Sequence, residues 1–448
     1  MKNKTVHGIC LDLSSEGKGV IKNGKEIVFV DGLFIGEEAD VTILYTRAGV
    51  SYGKVSKLHT LSKDRMDPRC KVCTVCGGCQ FQQLNYNAQL EYKTKRVKEA
   101  LKRISHLDVE VKPCLGMENP YFYRNKIQMP FKTDKKGRIV YGFYKAKSHD
   151  IISIDKCYIE DERAHPILNT IKRLLKELHI PTYDEDKHEG ILRHILVRTS
   201  HTKKDIMVVL VVTKENFGGQ KNFINALKKA HPEITTIVEN INSRQTNVIL
   251  GNKERVLFGK GYIENELLGV KFKISASSFY QINPLQTEVL YTKAIEASNI
   301  TKDDILLDAY SGVGTIGLII AKYAKEVLSV EINKDAVKDA IENAKANNIG
   351  NIKFICDDAS KYLDNLEIKI DVLVMDPPRK GSDEVFLKAV LHNLPKKIVY
   401  ISCNPETLAR DLLSLTKKYE VKSVQPVDMF PMTSHVETIC ALSFKGQK

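Results

Sequence analysis

Short apolar stretches separated by glycine-containing turns fill the first sixty residues. Residues 6–13, 19–22, 27–30, 39–45 and 51–58 read as strands. Five strands at this spacing predict a small barrel, an architecture that often holds oligonucleotides on one face. Residues 85–103 then predict a polar helix carrying Lys93, Lys95, Arg96, Lys98, Lys102 and Arg103. Two roles are open to that basic set, a solvated face or a phosphate-contacting one. Between residues 120 and 270 the pattern mixes strands, such as 206–212 and 247–250, with helices at 166–178 and 220–230. Chemistry is sparse there, limited to Cys157 and the basic aromatic run Tyr121-Phe-Tyr-Arg-Asn-Lys126.

Beyond residue 300 the pattern becomes regular. Apolar strands at 305–308, 327–330, 352–355, 371–375 and 397–402 alternate with helical stretches such as 334–347 and 383–394. Alternation of this kind predicts a mostly parallel, doubly wound α/β sheet. Two further strands, near 422–427 and 436–444, complete it.

At 448 residues the chain is expected to fold as two or three domains. Its 68 Lys and Arg against 55 Asp and Glu leave a formal charge of +13, which favours a polyanionic partner, with nucleic acid first. No apolar run is long enough to cross a bilayer, and Met1-Lys-Asn-Lys-Thr-Val-His7 lacks the apolar core of a signal peptide. A cytoplasmic protein is therefore expected, with its 10 cysteines serving as thiols, metal ligands or catalysts rather than disulfides.

A cofactor pocket is predicted at Asp308-Ala-Tyr-Ser-Gly312-Val-Gly314-Thr-Ile-Gly317, a strand-to-helix turn whose glycines let the backbone approach a ligand. The spacing alone also satisfies a dinucleotide fingerprint. Three acidic residues at strand ends lean towards S-adenosylmethionine. Glu331 can accept both hydroxyls of an adenosine ribose. Asp308 suits a positive amino-acid moiety and would repel a pyrophosphate. Asp376 opens Asp376-Pro-Pro-Arg379, which a nicotinamide enzyme does not need.

Cys403, in Ile401-Ser-Cys403-Asn-Pro405, lies where the fifth strand ends, and α/β sheets bind ligands at such carboxyl ends. A thiolate adding to carbon 6 of uracil would make carbon 5 electron-rich enough to attack a sulfonium methyl. A base must then remove the carbon 5 proton; Glu437 is the candidate and His435 its rival.

Cys70, Cys73, Cys76 and Cys79 fall at every third position, which argues for a metal; zinc and an iron–sulfur cluster both fit this spacing. A radical enzyme using S-adenosylmethionine would need a three-residue gap between two of its cysteines, and no pair has it. Cys10, Cys114, Cys356 and Cys440 read as buried or incidental thiols.

Together Phe279-Tyr-Gln281-Ile-Asn283, Asp308-Ala-Tyr-Ser-Gly-Val-Gly314, Asp376-Pro-Pro-Arg-Lys-Gly381, Ile401-Ser-Cys-Asn-Pro405 and Asp428-Met-Phe-Pro-Met-Thr-Ser-His-Val-Glu-Thr438 resemble the RNA uracil-5-methyltransferases. The likeness runs over nearly the whole chain and is greatest to the enzymes acting on 23S ribosomal RNA. It implies three parts: an RNA-binding TRAM, or OB-like, β-barrel at 1–60, a central α+β domain at 61–270, and a Rossmann-like class I methyltransferase domain at 271–448. Residues 85–112 are expected to pack on the last of these. The resemblance implies Cys403 as nucleophile, Glu437 as base, and S-adenosylmethionine contacts from Gln281, Tyr310, Glu331 and Asp376, with Asp358 near the adenine. It also implies a [4Fe–4S] cluster on Cys70, Cys76, Cys79 and Cys157, with Cys73 a departure from the family pattern. The expected partner is RNA, with 23S ribosomal RNA ahead of transfer RNA, and the chain is expected to act as a monomer with no membrane contact. A cytosine-5 enzyme would carry a cysteine where Pro378 stands. A non-catalytic RNA-binding or assembly factor is the rival from another class, and bound S-adenosylmethionine separates the two.

Overall fold

The structure is a computed structural model that describes residues 4–145 and 148–446. Five strands form a closed barrel: β1 (Thr5–Leu13), β2 (Gly19–Asn23), β3 (Glu26–Val30), β4 (Glu38–Arg47) and β5 (Val50–Leu58), in the order β1-β2-β3-β5-β4. Val6, Ile21, Val28, Val30 and Val41 are fully or nearly fully buried in its interior, as period-two alternation requires.

A short turn of helix, α1 (Cys73–Cys76), and the long α2 (Tyr86–Ile104) follow. The central sheet then assembles from β6 (Lys126–Thr133), β7 (Ile139–Tyr144), β8 (Ile151–Ser153), β9 (Leu192–Thr199), β10 (Ile206–Val212), β11 (Thr236–Ile241) and β12 (Lys253–Phe258). Helices α3 (Ala164–Glu177) and α4 (Gln220–Ala230) cover one face, packing Ile167, Ile171, Phe223 and Leu227 against Ile195, Val197, Val208 and Leu210. From the other face Leu196, Met207 and Val209 join the core of the C-terminal region. Burial on both faces explains why every residue of β9 and β10 is buried.

Residues 247–250, expected as a strand, form a loop instead. Asn242 donates its side-chain amide to the Val248 and Ile249 carbonyls at 2.7 and 2.9 Å, fixing a bend that a ladder would forbid.

The hairpin β13 (Ile263–Leu267) and β14 (Val270–Ile274) and helix α5 (Pro284–Ser298) lead into the last sheet. Its first strands and helices alternate as β15 (Ile305–Ala309), α6 (Thr315–Ile320), β16 (Glu326–Glu331), α7 (Lys334–Ala346), β17 (Ile352–Cys356) and α8 (Ala359–Asp364). They continue as β18 (Val372–Met375), α9 (Glu384–Asn393), β19 (Lys397–Ser402) and α10 (Pro405–Leu415), closing with β20 (Tyr419–Val427) and β21 (Glu437–Phe444). Strand order is β17-β16-β15-β18-β19-β21-β20, with β15 to β19 parallel and β21 antiparallel to both of its neighbours. Among the described residues no helix is long and apolar enough to cross a membrane.

Helix α2 keeps Lys95, Lys98, Lys102 and Arg103 on an exposed basic face, but Lys93 and Arg96 turn inward. Val97, Ala100 and Leu101 share the core of the C-terminal sheet with Leu408 and Leu412 of α10. Lys93 is wholly buried and pairs with the equally buried Asp428, which also accepts from the Tyr86 hydroxyl at 3.0 Å. Arg96 forks onto Glu406 at 2.8 and 3.2 Å and donates to the Ser434 carbonyl. These contacts fasten α2 to the segment between β20 and β21. Removing one member strands a buried charge, a loss of about 3–5 kcal/mol. Lys93→Met is therefore expected to lower stability in urea unfolding by that amount, and a loss below about 1 kcal/mol would contradict the role given to the pair.

Candidate active site

The crevice lies beyond the C-terminal ends of β15, β16, β18 and β19. Gly312 and Gly314 adopt φ of 56° and 74°, and a Cβ on Gly314 would meet the Phe354 ring at 2.9 Å. Tyr310 holds φ 64° without being glycine, a strained conformation of the sort that clusters at ligand sites. Its ring packs against Phe386 at 5.1 Å. Glu331 ends β16 and accepts from the Gly312 N–H at 2.9 Å and the Asn333 N–H at 2.8 Å. The carboxylate therefore ties the glycine turn to the second strand.

Asp308 has a structural job as well as the one its position suggests. It is buried, and one carboxylate oxygen accepts from the Gly317 N–H at 3.0 Å and lies 3.4 Å from the Ser329 hydroxyl. It thereby braces the start of α6 against β16. Burial lifts its carboxyl to about 7.

Asp376 follows β18 and is also lifted to about 7 by burial. The next residues are lashed to the start of α10: the Arg379 carbonyl accepts from the Asn404 amide and the Thr407 hydroxyl, each at 3.3 Å. Asn404 caps α10 by accepting from the Glu406 N–H at 3.1 Å. Cys403 sits between β19 and that cap, half-buried. Burial, then the charges of Glu437 and Asp376, push its thiol up to about 12, while Arg379 pulls the other way.

Glu437 reaches the same place from the opposite direction. Antiparallel pairing sets Ser402 against Thr438, so the next pair in register is Cys403 and Glu437. Residues opposite each other on an antiparallel pair project to the same side. Glu437 is 7% exposed, and burial followed by the Asp376 charge raises its carboxyl to about 8. His435 moves the other way, to about 4, through burial and then the cations Arg379, Arg96 and Lys93. A base works best with a pKa near the operating pH, which favours Glu437 over His435.

Gln281 lies between β14 and α5; its carbonyl accepts from the Asn125 amide at 3.1 Å, and its side chain hydrogen-bonds Tyr291, a buried phenol that feels the Asp376 charge. Asp358 caps α8 by accepting from the Ser360 and Lys361 N–H groups, and its charge acts on Tyr310.

Cys157, remote in sequence, lines one almost wholly apolar pocket with Cys70, Cys73, Cys76 and Cys79. Burial pushes the Cys79 thiol up to about 12 and Cys157 higher still. Tetrahedral zinc sets its sulfurs about 3.8 Å apart. Among the described residues, no three of these thiols lie within 4.8 Å of one another.

Sequence reasoning passed over Arg379, whose place directly after Asp376-Pro-Pro was the available signal. It also passed over the Lys93–Asp428 pair, since a lysine in a basic helix carries no mark of burial.

The chain was compared with known proteins. The family profile described as tRNA (Uracil-5-)-methyltransferase matches residues 85–445. An uncharacterized RNA methyltransferase of Halalkalibacterium halodurans is 43% identical, covering 99% of this chain and 98% of the relative. Another from Clostridium tetani is 42% identical, over 100% and 98% respectively. The crystal structure of Pyrococcus abyssi tRNA (uracil-54, C5)-methyltransferase with S-adenosyl-L-homocysteine superposes with a TM-score of 0.80 at 29% identity, covering 98% of this chain and 100% of that one. The last sheet is thus a class I S-adenosylmethionine-dependent methyltransferase fold, preceded by a small β-barrel. With its crevice, its sheet order and its relatives all in agreement, the chain belongs to the tRNA (uracil-5-)-methyltransferase family of S-adenosylmethionine-dependent RNA methyltransferases.

Proposed function

We propose that the chain methylates carbon 5 of a uridine in 23S ribosomal RNA, with Cys403 as nucleophile and Glu437 as base. The observation that carries this reading is the register of β19 and β21, which sets the thiol opposite a carboxyl raised to about 8. S-adenosylmethionine supplies the electrophilic methyl group. Glu331, Asp376, Tyr310 and Gln281 hold it: Glu331 at the ribose, Asp376 as a buried negative charge facing a cation, Tyr310 and Gln281 at the walls. Asp358 stands at the adenine end.

The target base is splayed from its stack to reach the crevice. Cys403 gives up its thiol proton to water and Sγ bonds to carbon 6; carbon 5, now enolate-like, would take the methyl group as the sulfonium–methyl bond breaks and the thioether leaves. Glu437 accepts the carbon 5 proton, the Sγ–carbon 6 bond breaks, and the thiolate leaves. Arg379 supplies the positive charge that offsets two carboxylates around the sulfur. The barrel and the chain's excess of positive charge hold the flanking RNA, and the protein acts as a monomer in the cytoplasm.

Transfer RNA is the second reading of substrate, favoured by the transfer RNA activity for which the family and the Pyrococcus neighbour are named. The motif likeness to the 23S enzymes supports ribosomal RNA. Mass spectrometry of RNA from a deletion strain decides: 5-methyluridine lost from 23S RNA supports the proposal, and its loss from transfer RNA alone overturns the substrate.

Cys70, Cys76, Cys79 and Cys157 are proposed to hold a [4Fe–4S] cluster that ties the loop before α2 to the central sheet. The shared apolar pocket of these thiols supports it. Cys157→Ser is expected to lose iron and acid-labile sulfide together, and full retention of both would contradict the ligand set.

Glu437→Gln is expected to accumulate a covalent RNA–protein adduct, visible on a denaturing gel, because the carbon 5 proton can no longer leave. In the wild type kcat/KM is expected to rise with pH towards a plateau above about 8, as Glu437 ionises. No adduct in the variant, or a flat profile, would remove Glu437 as the base.

Asp376→Asn tests the cost of the buried charge. Its folded-state pKa, about 7, is raised above the unfolded value, so stability is highest at low pH and is lost as pH rises through 7. The variant is therefore expected to be more stable than the wild type by about 1–3 kcal/mol at pH 8, with a smaller gain at pH 5, and to bind S-adenosylmethionine more weakly. Equal stability at both pH values would contradict a buried, uncompensated carboxyl.

A further inference from the structure

A second polar cluster lies outside the active site, on the wall of the barrel. His7 on β1 is paired in register with Asp40 on β4, and His59 follows the end of β5. His7 Nδ1 lies 2.8 Å from Asp40 Oδ1, and His59 Nε2 lies 2.9 Å from Asp40 Oδ2. One ligand atom from each of the three lies within 4.8 Å of the other two.

We propose that His7 Nδ1, His59 Nε2 and the Asp40 carboxylate form a Zn²⁺ site. Two imidazoles and a carboxylate are a donor set that zinc takes readily, the fourth position remaining with water. Tetrahedral zinc with these donors sets ligand atoms about 3.3 Å apart, so the carboxylate need open by only about 0.5 Å from each ring.

Glu38 separates this arrangement from a chance meeting of polar side chains. Its carboxylate accepts from the other nitrogen of His7, Nε2, at 2.9 Å. Both nitrogens of His7 thus face carboxylates, which only accept, so the metal-free ring donates from each; Zn²⁺ would take the Nδ1 position as that proton leaves, with Glu38 still holding the Nε2–H. A carboxylate behind a ligating imidazole is the usual outer partner of metal-bound histidine.

The frame is also fixed. Glu38 N–H donates to the Thr60 hydroxyl at 2.9 Å, and the Glu38 carbonyl accepts from the His59 N–H at 2.8 Å. His59 is therefore held against β4 by main-chain bonds. All four side chains keep between 29 and 56% of their surface, so an ion can enter without unfolding. Bound there, Zn²⁺ would staple β1 and β4 to the segment leaving the barrel, joining residues 7, 40 and 59.

The test is a Zn²⁺ titration of the full-length protein by calorimetry, repeated on Asp40→Asn, His59→Ala and Glu38→Gln. The wild type is expected to take up one equivalent more than Asp40→Asn or His59→Ala. Glu38→Gln keeps the ligands but loses the orienting charge, so its affinity for that equivalent is expected to fall about 10–100-fold. Co²⁺ keeps the cysteine pocket apart from this site: the equivalent lost in Asp40→Asn should absorb in the visible without a thiolate charge-transfer band. Equal uptake by the wild type and Asp40→Asn, with unchanged circular dichroism, would overturn the site. Asp40→Asn keeps the side chain's size and shape while removing its charge and one acceptor oxygen, so it decides the matter even if His59→Ala fails to fold.

Discussion

One antiparallel strand pairing carries the chemistry proposed for this chain. Five parallel strands bring the glycine turn, Glu331, Asp376 and Cys403 to one edge of the sheet. A sixth parallel strand would have delivered its first residue to the opposite edge. Because β21 instead runs antiparallel between β19 and β20, its first residue arrives at the edge where β19 ends. Glu437 thus meets Cys403 through main-chain register, without help from a long loop. Shifting that register by one residue would turn the carboxyl to the other face.

The same placement is expensive. Asp376 and Glu437 are desolvated together, each raises the Cys403 thiol, and Asp376 also raises Glu437. On the proposed reading, a cationic methyl donor would offset the charge these carboxyls carry when ionised. What keeps it in shape is the packing around it. Lys93, Tyr86 and Gln286 fix Asp428 and its neighbours at the end of β20, and Phe81 donates its N–H to the Met432 carbonyl at 3.0 Å. Helix α2 and the loop after the cysteines are therefore part of the frame that presents Glu437, although they precede it by more than three hundred residues.

Much of this was legible in the sequence. The barrel strands and the alternating strands and helices after residue 300 announce themselves, because each buries one clear apolar face or run. The central sheet was read poorly. β9 is Leu-Arg-His-Ile-Leu-Val-Arg-Thr, and its Arg193, His194 and Arg198 disguise a strand buried on both faces. Those charges are tolerated because Arg193 forks onto Glu185 at 2.9 Å and Arg198 donates to the Ala276 and Ser278 carbonyls. The Arg198 partners lie about 80 residues further along the chain and leave no local trace, and the loop that brings Glu185 back to Arg193 leaves none either. Asp308 shows the converse: its motif suggested a ligand contact, while its bonds to Gly317 and Ser329, which also brace the fold, left no sign in the sequence. The Lys93–Asp428 pair became visible only once distant segments were brought together.

The most direct measurement is a reaction with RNA containing 5-fluorouridine at the target position. Fluorine cannot be abstracted as a proton, so the cycle should halt with the protein bonded to carbon 6. Peptide mapping of the adduct by mass spectrometry is predicted to find the modification on Cys403. An adduct on any other residue, or methylation of natural RNA with no adduct on the fluorinated one, would contradict the account.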